Sequence, residues 1–188
     1  MSTIHEQLTE AADQAARVVA GTDPGRFTDK TPCSDWDVKE LLNHLILWTA
    51  YSFERRARSE QVGPDLTERD FASEPDYAAA YRAQLDRALA AWAPPEVWES
   101  EIDTGGGKTP APQVAEMILM EMVLHGWDLA TATGQPYEIS DEIAGTVAQA
   151  VEASAEMYRQ YDGFAAEVQI GQDATTLEKA LAVSGRRA

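Results

Sequence analysis

A carboxylate and an imidazole lie one helical turn apart in EMVLHGWDLA, residues 121–130, a stretch that is otherwise mostly apolar. Glu121 and His125 have i,i+4 spacing, so on a helix both side chains project from one face. A carboxylate buried among apolar residues costs several kcal/mol unless it is paired or ligated. A divalent cation would remove that cost. The alternatives are a buried Glu–His pair and a helix turned so that both groups meet solvent.

A second histidine strengthens the metal hypothesis. The chain has only three histidines, and His44 lies beside Leu41 and Trp48 in another segment with helical periodicity. A lone histidine in such a place is usually a hydrogen-bonded core residue. Two imidazole nitrogens and one carboxylate with an open fourth position are typical of catalytic zinc, and nickel or iron also accept such ligands. We therefore predict one divalent cation, zinc first, bound by His44, Glu121 and His125.

Several neighbouring residues could support this site. Asp128 lies about one turn beyond His125 and could orient its imidazole, although a purely structural hydrogen bond is equally compatible. Trp48 and Tyr51 are candidates for the wall of a pocket. Cys33 could be a reactive thiol near a helix start, but a small packed residue is the favoured interpretation.

Amphipathic helices must position these residues. Apolar positions at 3.6 spacing and capping signals predict six of them, at residues 3–20, 38–59, 75–92, 112–133, 141–161 and 174–183. Residues 97–103 and 166–170 are predicted to be extended, and the glycine run 105–107 to be a turn. This pattern predicts an all-α helical bundle in which at least one long connection crosses the bundle.

Composition limits the function. The chain has 188 residues, which suits one domain, and a net charge of −17. Such a charge argues against nucleic acid or anionic membrane as partner, because phosphates would be repelled. The single cysteine fits a reducing cytosol, and the sequence shows neither a signal peptide nor about 18 consecutive apolar residues. We expect a cytoplasmic protein that binds small molecules or divalent cations, as a monomer or homodimer.

Two stretches also resemble a known family. TPCSDWDVKELLNHL (31–45) and EMVLHGWDLATATGQP (121–136) are similar to two motifs of actinobacterial proteins related to mycothiol-dependent maleylpyruvate isomerase, in the DinB-like superfamily. The resemblance extends over nearly the whole chain, and residues 164–186 look like the ending of an uncharacterised subfamily. It implies a DinB/YfiT-like four-helix bundle over residues 1–163, with a long crossover connection and a zinc site at His44, Glu121 and His125. Residues 164–188 would be a short C-terminal extension packed on the bundle.

The resemblance also implies a reaction class. Family members use the small thiol mycothiol as cofactor, which suggests a metal-dependent thiol transferase or isomerase acting on a small electrophile. Isomerase members carry a further C-terminal domain, whereas about 25 residues follow Gly163 here, so maleylpyruvate isomerisation itself is not predicted. Two alternatives stay open. One is a non-catalytic metal-binding bundle that senses or sequesters a small ligand, and the other is a metal-free core in which His44 and Glu121 form a hydrogen bond.

Overall fold

Side-chain caps mark where several helices of this protein begin. The computed structural model describes residues 2–33 and 36–188, so Ser34 and Asp35 of the first motif lie outside the described residues. Capping boxes are present at Thr3 and at Asp37. The α-helices are α1 (Ile4–Ala20), α2 (Val38–Ile46), α3 (Ser52–Ala57), α4 (Pro64–Thr67), α5 (Tyr77–Ala91), α6 (Pro95–Trp98), α7 (Ala111–Thr133), α8 (Asp141–Gln160) and α9 (Thr176–Val183).

The predicted second helix contains an irregularity that the sequence pattern did not reveal. Helices α2 and α3 are joined without a break by a π-helical segment, Leu47–Tyr51. A π segment adds a residue to one turn, so it rotates the helical residues after it relative to those before it. Trp48 and Tyr51 both lie in this segment, and His44 is in the last turn of α2.

Four long helical stretches form a bundle in the first of two compact units, residues 2–137. Helix α1 packs on α5 and α7, while on the other side α2 packs on α7, α3 packs on α5 and the π segment contacts both. Helices α5 and α7 therefore lie on opposite sides of the bundle, and the link between them, residues 92–110, crosses it. The all-α bundle with a long crossover connection predicted from the sequence is confirmed.

Two large buried side chains in the bundle core, Tyr81 and Trp92, have hydrogen-bond partners for their polar atoms. The Tyr81 hydroxyl, fully buried, lies 2.7 Å from the Thr49 hydroxyl. Burial raises the pKa of Tyr81, so its hydroxyl stays protonated at any physiological pH. The Trp92 indole donates to the Phe53 carbonyl at 2.7 Å. These contacts connect the helical stretch 38–57 to α5 and to Trp92, the residue that follows α5.

A small hairpin occupies part of the crossing link. Strands β1 (Glu101–Asp103) and β2 (Lys108–Pro110) pair antiparallel. The predicted glycine turn lies between them, closed by a 3.1 Å hydrogen bond from the Thr104 N–H to the Gly107 carbonyl. Gly105 and Gly107 have φ of 89° and 138°, values that only glycine adopts readily. The extended segment predicted for residues 97–103 is correct only for 101–103, because Pro95 starts the short helix α6 instead.

The second unit, residues 138–188, is built on the packing of α8 against α9. The strand predicted for residues 166–170 is wrong. This segment is irregular, and the Val168 N–H donates to the Ala182 carbonyl at the end of α9 (3.0 Å), rather than to a neighbouring strand. The chain divides into units after Tyr137. The boundary predicted after Gly163, and the packing of residues 164–188 on the bundle, stay predictions.

Candidate metal centre

The packing of α2 on α7 brings the three predicted ligands together. The His44 Nε2 atom lies 3.0 Å from the Glu121 Oε2 atom, and the His125 Nε2 atom lies 3.4 Å from that same oxygen. One donor atom from each of the three residues lies within 4.8 Å of the other two. Two distant helices thus converge as expected from the sequence, and the role of these residues as metal ligands stays a prediction.

The donor set fits a divalent cation. Bonds of ~2.0–2.2 Å in a tetrahedral site place donor atoms about 3.3 Å apart, close to the 3.0 and 3.4 Å separations found here. The same separations also suit a hydrogen-bonded carboxylate and imidazole, which is the arrangement of the metal-free alternative. The hydrogen-bond partners of the two imidazole rings are therefore needed to distinguish a metal site from the metal-free core.

For His125, this hydrogen-bond partner is Asp128. Its side chain is fully buried, and its Oδ2 atom lies 3.0 Å from His125 Nδ1. A carboxylate there favours a proton on Nδ1, so that the Nε2 lone pair of a neutral imidazole faces Glu121. Two acceptors would then face each other across 3.4 Å. Either a cation between them or a second proton on the imidazole would stabilise this arrangement.

Aromatic rings cover part of the centre. The Trp36 ring centroid is 4.3 Å from that of His44 and 5.5 Å from that of His125. The Trp48 ring centroid lies 6.3 Å from that of His44. The side chains of His44 and Glu121 nevertheless keep 21% and 24% of their exposure. The centre is therefore sheltered but open to a small molecule.

Tyr51 contacts two residues that line a groove beside His44, and its place in a pocket wall stays a prediction. Its ring packs against Phe71 with centroids 5.0 Å apart, under the Arg69 guanidinium. Among the described residues, the groove beside His44 is lined by Phe71 and Arg69 but not by Tyr51. The structure thus gives Tyr51 a supporting position behind that wall, whereas Trp48 lines the groove itself.

Cys33 lies closer to the centre than the favoured interpretation implied. One donor atom each from Cys33, His125 and Asp128 lie within 4.8 Å of one another, and Cys33 is only partly buried. The sequence did not reveal this proximity, because the loop that carries Cys33 lies about 90 residues before His125 in the chain. Arg69 and Phe71 were missed for the same reason, since they lie in a polar connection with no regular spacing.

The π segment begins three residues after His44, at the edge of the candidate centre. Single-turn π segments inside α-helices are often found at functional sites. Here the irregular turn carries Leu47 and Trp48, both of which line the groove beside His44.

The fold and the donor set together define a helical-bundle protein with a candidate centre of two histidines and one carboxylate. Residues 8–130 match the family described as the mycothiol maleylpyruvate isomerase N-terminal domain, and the chain belongs to this family. The matched range includes all three candidate ligands and Asp128. The family resemblance of the two motifs, residues 31–45 and 121–136, is therefore confirmed.

Relatives and solved structures agree with this assignment. The chain is 25% identical over 141 residues to two Mycobacterium tuberculosis proteins, uncharacterized proteins MT0763 and Rv0738, covering 71% of this chain and 69% of each relative. It is also similar to the crystal structure of the mycothiol-dependent maleylpyruvate isomerase, with a TM-score of 0.55 and 20% identity over 82% of this chain and 72% of the other. A histidine-to-alanine mutant of that enzyme gives a TM-score of 0.57 at 19% identity, with the same coverage. These likenesses confirm the helical fold.

No helix in the described part of the chain is both long enough and apolar enough to cross a membrane.

Proposed function

We propose that this chain is a metal-dependent, mycothiol-linked transferase or isomerase that acts on a small electrophilic substrate. The observation that carries this proposal is the convergence of His44, Glu121 and His125, whose donor atoms lie within 4.8 Å of one another in a domain of this family. Zinc is the first choice of cation, with nickel and iron also compatible with the donor set. A low-molecular-weight thiol and a single cysteine both suit a reducing cytoplasm.

Each residue around the centre has a definite task in this proposal. A bound cation would lower the pKa of a coordinated thiol and so supply thiolate at neutral pH. Asp128 holds the proton of His125 on Nδ1 and keeps the Nε2 lone pair directed at the centre. Glu121 compensates part of the cation's charge. Trp36, 4.3 Å from the His44 ring, keeps water from that side of the imidazole.

Metal analysis combined with a turnover assay tests the proposal. Purified protein is assayed for metal content by elemental analysis, then for mycothiol-dependent consumption of several classes of electrophile. His125→Ala should lose both the metal and the turnover. His5→Ala is the matched control, because His5 lies on α1 and contacts the Leu89 carbonyl at 3.0 Å, away from the candidate ligands.

Each failure has its own meaning. A metal content far below one per chain after reconstitution would favour the metal-free hydrogen-bonded core. Stoichiometric metal without thiol-dependent turnover on any electrophile class would favour the non-catalytic bundle that senses or sequesters a ligand. Calorimetry with mycothiol would then measure whether the thiol binds at all.

A further inference from the structure

A second group of metal-ligating side chains lies at the opposite nitrogen of His125. Cys33, His125 and Asp128 each offer one donor atom, and these three atoms lie within 4.8 Å of one another. Because the Asp128 Oδ2 atom lies 3.0 Å from Nδ1 of His125, a cation that Asp128 holds would bind this nitrogen. The candidate centre uses Nε2, which lies 3.4 Å from Glu121. The His125 imidazole therefore lies between two different sets of donors.

The backbone around Cys33 is held close to His125. The Cys33 carbonyl accepts a hydrogen bond from the Trp36 N–H at 3.1 Å, and the Thr31 hydroxyl lies 2.8 Å from the same carbonyl. The Trp36 ring in turn lies 5.5 Å from the His125 ring, measured between centroids. Because Cys33 is only partly buried, a small ion can reach its thiol from solvent.

The three donors suit a soft divalent cation. Thiolate sulfur is a soft ligand, and an imidazole and a carboxylate complete a set that zinc and similar ions accept. In a tetrahedral site, bonds of about 2.3 Å to sulfur and ~2.1 Å to nitrogen or oxygen place the sulfur about 3.6 Å from the other donors. The separations here are at most 4.8 Å, so the Cys33 sulfur would have to move by no more than about 1.2 Å. The candidate centre contains no sulfur and is the harder of the two sets.

The two donor sets exclude each other through the tautomer of His125. A neutral imidazole binds a cation with one nitrogen and keeps its proton on the other. A cation on Nε2 leaves the proton on Nδ1, where it faces Asp128. A cation on Nδ1 transfers the proton to Nε2, so that Nε2 donates to Glu121 and is no longer a ligand. The Cys33 thiol releases its own proton to solvent when its sulfur binds the cation.

We propose that Cys33, Asp128 and Nδ1 of His125 form a second cation site, which prefers soft divalent cations and disables the candidate centre when it is filled. The site itself depends only on the contacts of these three residues. Its inhibitory effect rests on the proposed function, because it requires a cation at His44 and Glu121 that can be displaced.

Cadmium titration of the metal-free full-length chain tests the site. Cadmium–thiolate bonds absorb in the ultraviolet, and Cys33 is the only cysteine of the chain, so any such band must come from it. The band should saturate with added cadmium and disappear in Cys33→Ser. It should persist in His44→Ala, which removes a ligand of the candidate centre alone. The absence of a cadmium–thiolate band from wild type would overturn the proposal.

Two variants distinguish a site with three ligands from a thiol that binds cadmium by itself. Asp128→Asn and His125→Ala should each weaken cadmium binding, measured by the thiolate band, at least about tenfold. His5→Ala, which changes a histidine on α1, should leave it unchanged. An unchanged affinity in both Asp128→Asn and His125→Ala would contradict the site.

A measurement on wild type covers the case in which a buried variant folds poorly. In long-range proton–nitrogen correlation spectra of the isotope-labelled chain, cadmium should shift the Nδ1 resonance of His125 far more than either nitrogen of His5. A shift centred on Nε2 of His125 would assign the ion to the candidate centre and overturn the proposal.

Nickel binding tests the inhibitory effect, because nickel accepts imidazole ligands. Cadmium at a concentration that saturates the thiolate band should weaken nickel binding at least about tenfold in wild type and clearly less in Cys33→Ser. An equal loss in the two proteins would overturn the inhibitory effect. If nickel bound to neither protein, the proposed function would be weakened, while the cadmium–thiolate measurements would still decide the second site.

Discussion

The contact between Asp128 and His125 matters most among single residues, because it determines which imidazole nitrogen faces the candidate centre. The two side chains lie 3.0 Å apart, and Asp128 has no exposure to solvent. A buried carboxylate in this position fixes the orientation of the imidazole. Its effect on a bound cation should therefore be measurable even though it is not itself a predicted ligand of the candidate centre.

Replacing Asp128 by Asn should weaken zinc binding by about 10- to 100-fold, because an amide at that position no longer fixes the proton on Nδ1. Competition with a chromophoric chelator measures the affinity. Asp86→Asn is a suitable control, since Asp86 is exposed on α5 and pairs with Arg82 at 2.6 Å. Unchanged zinc affinity in Asp128→Asn would rule out the orienting role.

A buried hydroxyl gives a prediction about stability. Among the described residues, the Ser52 Oγ atom is buried and has no hydrogen-bond partner. Ser52→Ala removes an unsatisfied polar group and should raise the free energy of unfolding in urea by roughly 1 kcal/mol.

Thr49 is the matched control for Ser52, because both are fully buried on the same helical stretch. The Thr49 hydroxyl contacts the Leu45 carbonyl at 2.6 Å and the Tyr81 hydroxyl at 2.7 Å. Thr49→Val should therefore destabilise the protein by roughly 1–3 kcal/mol, opposite in sign to Ser52→Ala. A loss of stability in Ser52→Ala as well would show that its hydroxyl finds a partner in solution.

At the scale of elements, the long helices were predictable because their signals are local. Capping signals and 3.6-residue periodicity predict α1 and the start of α2, and α7 ends at Gly134, a residue type that commonly follows a helix. The π segment was not predictable, since the same apolar pattern is compatible with an uninterrupted helix. The strand predicted at 166–170 was wrong because a short extended segment is not stable as a strand unless it pairs with another strand.

The candidate centre was predictable only in part. Glu121 and His125 were selected by their spacing within one helix, which sequence displays directly. His44 required the assumption that two helices pack together, an assumption that the structure confirms. The positions of Cys33 and Arg69 depend on how irregular connections fold back, and no periodic signal encodes that path.

The connection after α4 is fastened to α2 by an acidic residue. The Asp70 carboxylate accepts hydrogen bonds from Lys39 at 2.7 Å, Ser73 at 2.7 Å and Asn43 at 3.1 Å. These bonds, that from Lys39 foremost, lower the pKa of Asp70 from 3.8 to about 2. Since the pKa is lower in the folded protein, the contribution of Asp70 to stability is complete well above pH 3.8 and is lost as the pH falls toward 2.

Asp70→Asn should therefore lower the free energy of unfolding at pH 6, and the difference from wild type should shrink steadily below about pH 4. Solvent screening limits the effect to less than about 1 kcal/mol. Urea unfolding of wild type, Asp70→Asn, Lys39→Met and the double variant between pH 6 and pH 3 measures the coupling. A coupling energy that did not decrease with acid would contradict the origin assigned to the pKa shift.

At the scale of the whole molecule, charge is the dominant feature. A net charge of −17 makes the folded chain repel itself more than the expanded unfolded chain does. Added salt screens this repulsion over a distance of about 10 Å at 0.1 M. Raising NaCl from low to moderate concentration should thus shift the urea unfolding midpoint upward.

The control for this salt effect is a variant with fewer charges, Glu116→Gln/Glu152→Gln/Glu167→Gln, in which all three replaced residues are exposed. Its midpoint should rise less with salt than that of wild type. An equal or larger rise would mean that NaCl acts through something other than general screening.

The hairpin in the crossing link offers a practical consequence. A side-chain carbon at Gly106 would have no neighbouring atom within 4 Å, and the residue does not share the left-handed φ of Gly105 and Gly107. An epitope or a fluorophore-attachment peptide spliced next to Gly106 would project into solvent, tethered by the two strands on either side. Such a graft would let the protein be immobilised or followed optically through the middle of its chain, while the helices that hold the histidines keep their native sequence.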